Sequence, residues 1–246
     1  ASDSSIFAVS NSISSPTWTE ISSVYTNYYT DPYEYINGNF IKVFGGAVYV
    51  SSDAINWTLY TTTSGGTWTN ISYGNSIYVA TGYTTIIKPG GTTTTYPRTM
   101  YSTDLINWTL GYMTTASMNN QTLAFGNGVF VQATPGGLAY RISVSSDGIN
   151  WLENNNVPTE IRSLAFGNGK FVGISGSTSY VSTDGVSWNA YSMPSTGEWR
   201  ATSYSKGIFC AYKEGTTTAA YSVDGQVWTS TTMPYSINSS GKISGL

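Results

Sequence analysis

A seven-residue phrase, Ser-x-Asp-x-x-x-Trp, recurs five times along the chain and restricts the possible folds more than any other feature. The copies begin at Ser51, Ser102, Ser145, Ser182 and Ser222. They contain five of the seven aspartates and five of the eight tryptophans, so most of the conspicuous side chains belong to one repeated local structure. Self-similarity with a period of about 40 residues is typical of repeat architectures and not of a single irregular domain.

A second element precedes each phrase and consists of a turn followed by a stretch in which apolar residues alternate. The five copies read NGNFIKVFG, GNSIYVATG, GNGVFVQAT, GNGKFVGIS and SKGIFCAYK. Such alternation is strand periodicity. Gly and Asn tolerate the positive φ of tight hairpins, as in 126–128 and 167–169. Each unit therefore predicts four short strands, and no helical pattern competes.

The spacing of the tryptophans predicts how the units close into one domain. Successive tryptophans at 18, 57, 108, 151, 188 and 228 lie 37 to 51 residues apart, which gives the units 19–57, 58–108, 109–151, 152–188 and 189–228. Residues 1–18, with AVSNSISSPTW, look like the second half of a unit, and 229–246 look like a first half. We expect a single all-β domain over 1–246, a six-bladed β-propeller of four-stranded blades whose closing blade joins 229–246 to 1–18. Five blades is the alternative.

The repeated phrase resembles the Asp-box, or BNR repeat, of sialidase-like β-propellers, whose pattern is Ser/Thr-x-Asp-x-Gly-x-x-Trp. Here Asp and Trp are four apart instead of five, so the turn should be one residue tighter. In that family the motif folds the turn between the third and fourth strands, with Asp accepting backbone N–H bonds and Trp packing between blades. The resemblance implies structural roles for Asp53, Trp57, Asp104, Trp108, Asp147, Trp151, Asp184, Trp188, Asp224 and Trp228. Similar repeats recur in bacterial and phage-encoded propellers, so the resemblance indicates a fold better than an activity.

The composition excludes several functional classes. Only 9% of the residues are charged, the ten basic residues are not clustered, and the pI is about 4.8, which argues against nucleic-acid or anionic-membrane partners. No apolar run reaches the ~20 residues that span a bilayer, so membrane insertion is not expected. The chain has no histidine and one cysteine, which excludes histidine triads, imidazole metal sites and an intrachain disulfide. We expect no cofactor and no metal.

A catalytic centre is not expected either. The sialidase resemblance suggests an arginine triad and a Tyr/Glu nucleophile pair, but none of the four arginines lies in the Arg-Ile-Pro context of that family. A glycosidase needs two carboxyl groups about 5 to 10 Å apart. The carboxylates outside the repeats are Asp3, Glu20, Asp31, Glu34, Glu153, Glu160, Glu198 and Glu214. They are scattered, and Asp31 with Glu34 is the only close pair in sequence.

Ligand contact is predicted on the face opposite the repeated turns, where the connections vary most between units. This face should carry the Tyr-rich segment 24–35, the insertion 84–98 and the stretch 195–200. The candidate ligand-binding residues are Trp68, Trp199, Arg200 and the Tyr96-Pro97-Arg98 sequence. Aromatic faces among hydroxyl-bearing side chains suit sugars. The alternatives are that the two tryptophans plug the channel or pack between blades, and that the insertion is a plain hairpin turning at Gly90-Gly91.

Low charge with abundant Ser, Thr, Tyr, Asn and Gly is typical of phage fibres, other virion-surface proteins and secreted bacterial adhesins. We expect a non-enzymatic surface module, a phage virion decoration, fibre or tail-associated protein, located on the virion surface or outside the cell. Its expected partners are a cell-surface glycan or other virion proteins. A secreted bacterial lectin and a divergent sialidase-like glycoside hydrolase are the alternatives. The sequence leaves open an architectural role, the ligand, the oligomeric state, and whether Ala1 follows a removed Met or a signal peptide.

Overall fold

Alternating apolar residues separated by Gly- and Asn-containing turns produce an all-β chain. The structure is a computed structural model that describes residues 7–10, 18–21, 34–62, 66–111, 122–134, 141–154, 160–233 and 236. Those residues contain 22 strands and no helix. The absence of helix agrees with the period-two pattern of the sequence.

Twenty of the strands form five four-stranded antiparallel sheets, each joined in simple up-and-down order. Blade I contains β3 (Glu34–Ile36), β4 (Asn39–Phe44), β5 (Ala47–Ser51) and β6 (Thr58–Thr61). Blade II contains β7 (Thr67–Gly74), β8 (Ile77–Ile87), β9 (Thr93–Ser102) and β10 (Thr109–Gly111). Blade III contains β11 (Thr122–Gly126), β12 (Val129–Thr134), β13 (Arg141–Ser145) and β14 (Leu152–Asn154). Blade IV contains β15 (Ser163–Gly167), β16 (Lys170–Ser175), β17 (Thr178–Ser182) and β18 (Asn189–Ser192). Blade V contains β19 (Trp199–Ser205), β20 (Ile208–Lys213), β21 (Thr218–Ser222) and β22 (Thr229–Thr232).

The blades follow one another in chain order, as in a propeller. The first strands are in contact from β7 to β11, from β11 to β15 and from β15 to β19, and β7 also packs on β4 of blade I. In the described part of the chain, no comparable contact joins β19 of blade V to β3 of blade I. The described series therefore has two ends, blade V and blade I.

The structure shows five four-stranded blades, the count that the sequence prediction gave only as an alternative to six. The remaining two strands, β1 (Phe7–Ser10) and β2 (Trp18–Ile21), form a separate antiparallel hairpin in which Phe7 pairs with Ile21. The segment 229–246 was predicted to supply the first half of the closing blade, but Thr229–Thr232 form β22, the fourth strand of blade V. Residues 234–235 and 237–246 lie outside the described residues.

The predicted unit boundaries differ from the observed blades in one respect. Each repeated tryptophan precedes the fourth strand instead of lying in it, as Trp57 precedes β6 and Trp188 precedes β18. The tryptophan therefore closes the turn between the third and fourth strands, and each observed blade ends a few residues beyond it.

The hydrophobic core lies between the blades and not inside any one of them. Val43 and Val48 of blade I cluster with Ala80 and Met100 of blade II, and Val79 of blade II clusters with Phe130 of blade III. Because blades II, III and IV pack on a neighbour through both faces, removing any one of them exposes apolar surface on two others.

The turn between the first and second strands fastens blades II, III and IV to the blades that follow them. Asn127 has a φ of 47°, a left-handed conformation that Asn adopts more readily than most residues. Its Nδ2 donates to the carbonyl oxygens of Gly169 and Thr183, both at 2.9 Å. Asn75 and Asn168 make the same pair of bonds to their following blades. The face that carries these turns, called the turn face below, is thus held by side chains that cross the blade junctions.

Candidate functional site

The repeated Ser-x-Asp turn uses its own carboxylate to hold its backbone. In blade IV, Oδ1 of Asp184 accepts the N–H groups of Val186 and Ser187, both at 2.8 Å, and the hydroxyl of Ser182 at 2.9 Å. Nε1 of Trp188 donates to the carbonyl oxygen of Gly185 at 3.0 Å. Equivalent bonds to two N–H groups are made by Asp53, Asp104, Asp147 and Asp224.

These hydrogen bonds keep the carboxylates ionised. The backbone N–H of Asn56 is the largest of the contacts that hold the pKa of Asp53 well below its usual range, and Asn107 does the same for Asp104. Burial acts to raise the pKa of Asp184, but the N–H bonds from Ser187 and Val186 outweigh it and the pKa is lowered. A carboxylate that N–H bonds hold ionised in this way is poorly suited to proton transfer near neutral pH.

The lowered pKa values predict acid sensitivity. A carboxyl group whose pKa is lower in the folded state stabilises the fold above its unfolded pKa, about 3.9 for Asp, and that stability is lost as the pH falls toward the folded pKa. We expect the urea midpoint of unfolding to fall steadily below about pH 4. Asp184→Asn should be less stable than the wild type at pH 7, and the difference in urea midpoint between the two proteins should narrow only below about pH 4. Urea titrations from pH 7 to pH 2 measure both.

Lys88→Gln is the control for a change of one surface charge, because Lys88 lies at an exposed position directly after β8. It should leave the urea midpoint at pH 7 nearly unchanged. If the difference in urea midpoint between Asp184→Asn and the wild type stays constant down to pH 2, the turn carboxylate does not cause the acid sensitivity.

The opposite face, called the loop face below, carries the connections between the second and third strands and those between successive blades. Its most prominent feature is a two-stranded extension of blade II. Strands β8 and β9 continue their pairing from Tyr83 with Pro97 to Ile87 with Thr93. The insertion 84–98 is therefore a regular hairpin that turns at Gly90 and Gly91, as the hairpin alternative predicted. Ile86 and Ile87 are exposed near its tip.

The two predicted ligand-binding tryptophans are buried, which corrects that prediction. Trp68 is 1% exposed and Trp199 is 0% exposed. Trp68 packs in the cluster between blades I and II, and its Nε1 donates to Oγ1 of Thr62 at 3.2 Å. Trp199 packs between blades IV and V, and its Nε1 donates to the carbonyl oxygen of Ser195 at 2.8 Å. An indole can stack on a sugar only through an exposed ring face, so the alternative of packing between blades describes both residues.

The other predicted ligand-binding residues lie at the base of the extension or outside the described residues. Pro97 is buried in β9, where it pairs with Tyr83, while Tyr96 and Arg98 are half-buried. Within the segment 24–35, only Glu34 and Tyr35 are described, and Tyr35 is exposed on β3.

A cluster of five charged side chains lies on the loop face at the junction of blades IV and V. Arg162 contacts Oε2 of Glu160 at 3.0 Å and Oε2 of Glu198 at 3.4 Å. Arg200 contacts Oε2 of Glu214 at 2.9 Å through Nε and Oε2 of Glu198 at 3.9 Å through Nη2. Glu198 lies between the two guanidinium groups and its side chain is 56% exposed. The structure thus places Arg200, a predicted ligand-binding residue, within a continuous charged network.

The sequence interpretation missed this cluster because it treated the carboxylates as scattered. Glu160, Glu198 and Glu214 are far apart in the chain but share two arginines. The sequence does contain a signal for this cluster. Arg162 and Arg200 occupy equivalent positions in two successive blades, because each lies four residues before an aromatic residue of the first strand, Phe166 and Tyr204. Equivalent positions in consecutive blades are neighbours in a propeller, so the two arginines could have been placed together.

Two other features are absent from the described ranges. No group of three or more His, Cys, Asp or Glu residues there is arranged to hold a metal ion. In the same ranges, no helix is long and apolar enough to cross a membrane.

Comparison with known proteins supports the fold and nothing finer. No known family profile matches the chain, and no curated protein is a detectable relative. Among solved structures, a chain of the nidogen/laminin complex matches with a TM-score of 0.55 and 10% identity over 74% of this chain and 70% of that one. The luciferin-regenerating enzyme matches with a TM-score of 0.51 and 9% identity over 80% and 72%. Apo AztD from Citrobacter koseri matches with a TM-score of 0.50 and 11% identity over 90% of this chain and 63% of AztD.

Together with the five radial sheets, these similarities define the class. The chain is a β-propeller protein with four-stranded blades. At 9 to 11% identity the matched structures share the fold alone.

Proposed function

We propose that this propeller is a non-enzymatic, surface-exposed binding module whose loop face contacts a glycan or another host molecule. As the setting we propose a phage virion, in which the chain is a decoration, fibre or tail-associated protein. The setting is supported by the low content of charge and the abundance of Ser, Thr, Tyr, Asn and Gly. A secreted bacterial lectin would use the same face in the same way.

The observation that carries the proposal is the difference between the two faces. On the turn face the five repeated aspartates are occupied by backbone N–H groups. On the loop face the exposed carboxylate of Glu198 lies between the guanidinium groups of Arg162 and Arg200. Charged side chains form stronger hydrogen bonds than neutral ones, and sugar hydroxyl groups both donate and accept. The cluster is therefore suited to holding a polar ligand at an exposed site.

A glycan array with three variants tests the proposal. Glu198→Gln removes the exposed acceptor charge and Arg162→Gln removes one donor group, while neither residue belongs to the hydrophobic core. Because hydrogen bonds to charged groups contribute about 1.5–3 kcal/mol, we expect the affinity for bound glycans to fall about tenfold or more. Lys206→Gln is the control, since it removes an exposed charge from the turn face. It should retain the wild-type binding pattern.

Copurification with virions or fibres tests the setting separately. A wild-type protein that binds no glycan and does not copurify with any virion or fibre would contradict the proposal. Binding that survives in both cluster variants would move the binding site away from this cluster while leaving the function in place.

A divergent sialidase-like glycoside hydrolase is a second candidate, and one observation favours it. Glu160, Glu198 and Glu214 are brought together by shared arginines, so carboxyl groups separate in sequence are near one another. Turnover of a fluorogenic sialoside or glycoside by the wild type, abolished in Glu198→Gln, would establish the hydrolase and overturn the non-enzymatic proposal.

We also propose that the repeated turn is an Asp-box variant and that a sixth blade closes the ring. The first part is supported by the paired N–H bonds to each aspartate and by the position of the turn between the third and fourth strands. The second is supported by the missing contact between blades V and I in the described chain. Strands β1 and β2 match the third and fourth strands of a blade in order and pairing, and 237–246 would supply the inner strands.

A further inference from the structure

The two-stranded extension of blade II has an edge that no neighbouring strand covers. Strand β7 pairs with β8 only as far as Tyr83, which lies opposite Thr67. Strand β8 continues to Ile87 and pairs there with β9 alone. Among the described residues, no strand lies beside 84–87 on the β7 side, and this segment is called the β8 edge below. Edges of this kind are the places where another β-strand can add to a sheet.

The hydrogen-bond pattern of the extension determines which backbone groups the β8 edge presents. Next to the turn, the N–H of Lys88 donates to the carbonyl oxygen of Thr92 at 2.7 Å. Bonded and non-bonded pairs alternate along an antiparallel pair of strands, so Ile86 also directs its N–H and C=O groups toward β9. Thr85 and Ile87 therefore direct theirs outward, away from β9.

The side chains of the β8 edge do not protect it against pairing. Ile86 is 45% exposed and Ile87 is 73% exposed, and they lie on opposite faces of the extension because side chains alternate along a strand. Natural edge strands are commonly protected by charged residues, proline or bulges. The segment 84–87 contains none of these, and Lys88 and Pro89 follow only at the turn.

The opposite edge of the extension, on β9, is less suited to pairing. Pro97 lies opposite Tyr83, at a position that faces away from β8, and it has no N–H to donate there. Thr94, Thr95 and Tyr96 are also only half-exposed. The β8 edge is thus the better site for an added strand.

We propose that a second copy of this chain adds to the β8 edge, so that the two β8 strands pair antiparallel about a twofold axis. In this register Thr85 of each copy lies opposite Ile87 of the other, and their outward N–H and C=O groups bond one another. Ile86 lies opposite its own equivalent at the axis, where the two side chains bury apolar surface. Lys88 lies opposite Thr84 of the second copy, so the two ammonium groups are at opposite ends of the paired segment.

A second copy suits this edge better than a sugar or a lipid. Either of those would cover the isoleucines, but neither presents N–H and C=O groups at the spacing of a β-strand. The chain has a net charge of only -3, so repulsion between copies is small. The paired segment is short, and we expect a weak, concentration-dependent dimer that closes about its twofold axis. The dimer goes beyond the proposed function and does not rest on it, because the charged cluster belongs to blades IV and V.

Sedimentation velocity of the full chain over a concentration series tests the dimer. Ile86→Lys places like charges opposite each other at the axis, and Thr85→Pro removes an outward N–H without removing a bond to β9. Both variants should raise the dissociation constant of the dimer by about tenfold or more. Ile106→Lys is the matched control, because Ile106 is 52% exposed on the turn face. It adds the same charge and should retain the wild-type equilibrium.

Disulfide cross-linking tests the register. In the twofold pair the Cα atoms of residue 86 lie opposite each other at about 4.5 Å, a separation that a disulfide can span. Ile86→Cys should therefore form a covalent dimer under mild oxidation. Lys88→Cys should not, because the two copies of that residue lie at opposite ends, and both variants contain Cys210 equally.

Three results would overturn the proposal. The first is a wild type that stays monomeric at every concentration, which would leave the β8 edge to a strand of a different protein. The second is a dimer that both Ile86→Lys and Thr85→Pro leave intact. The third is equal cross-linking of the two cysteine variants.

Discussion

Deletion of residues 234–246 should prevent the chain from forming a stable propeller. The proposed closing blade takes its inner strands from this segment, and without them the facing surfaces of blades V and I lose their partner. Core faces exposed in this way bind each other or other molecules, since burial of apolar surface is the main favourable term in folding. We expect the truncated protein to aggregate or to unfold at least about 10 °C below the full chain, a difference of several kcal/mol for a domain of this size.

Circular dichroism melting and size-exclusion chromatography measure this effect. The truncated protein is compared with the full chain and with a variant in which a Gly/Ser sequence of equal length replaces 234–246. The replacement keeps the length of the chain but not its apolar strand residues, and it should behave like the truncation. If either variant is a monomer and has the same melting temperature as the full chain, the closing blade does not exist and the five-blade count is complete.

Replacement of Trp199 by alanine should lower the free energy of unfolding by about 3–5 kcal/mol, the usual cost of removing a large buried aromatic side chain. The indole is fully buried among Val172, Ile174 and Phe209, and its Nε1 bonds the carbonyl oxygen of Ser195. Chemical denaturation measures the loss. Trp199→Phe keeps most of the packing and removes the N–H donor, so its cost should be smaller, about 1–3 kcal/mol.

Leu152→Ala is the surface control, because that side chain is largely exposed on β14, and its stability should stay within about 0.5 kcal/mol of the wild type. The Trp199 experiment also decides between the two interpretations of the residue. A Trp199→Ala protein that keeps its stability but loses glycan binding would show that the indole is a ligand platform and not a junction side chain.

The two faces of the propeller explain why the most conspicuous residues of the sequence have structural roles. The repeated aspartates are the most regular acids in the chain, yet Oδ1 of each is occupied by two neighbouring N–H groups. The two tryptophans outside the repeats lie near the loop face, yet both are buried. The accessible charge belongs to Glu198, which no motif marks.

The repeat, the strands and the tight turns were predictable from the sequence because their causes are local. In the turn of blade IV, every bond to Asp184 comes from within three residues of it. The period-two pattern predicted the strands for the same reason. The insertion 84–98 was assigned to a hairpin only as an alternative, although Gly90-Gly91 marks its turn.

The sequence alone determined an all-β repeat protein with four strands in each unit and a carboxylate-stabilised turn in each repeat. Only the tertiary structure decided that the two tryptophans are core residues and that three distant glutamates share two arginines. Each of these features joins residues of different blades, as in the contact between Arg162 and Glu198, which are 36 positions apart. Such contacts depend on which faces of two sheets meet, and that is set by the packing of whole blades instead of by any seven-residue phrase.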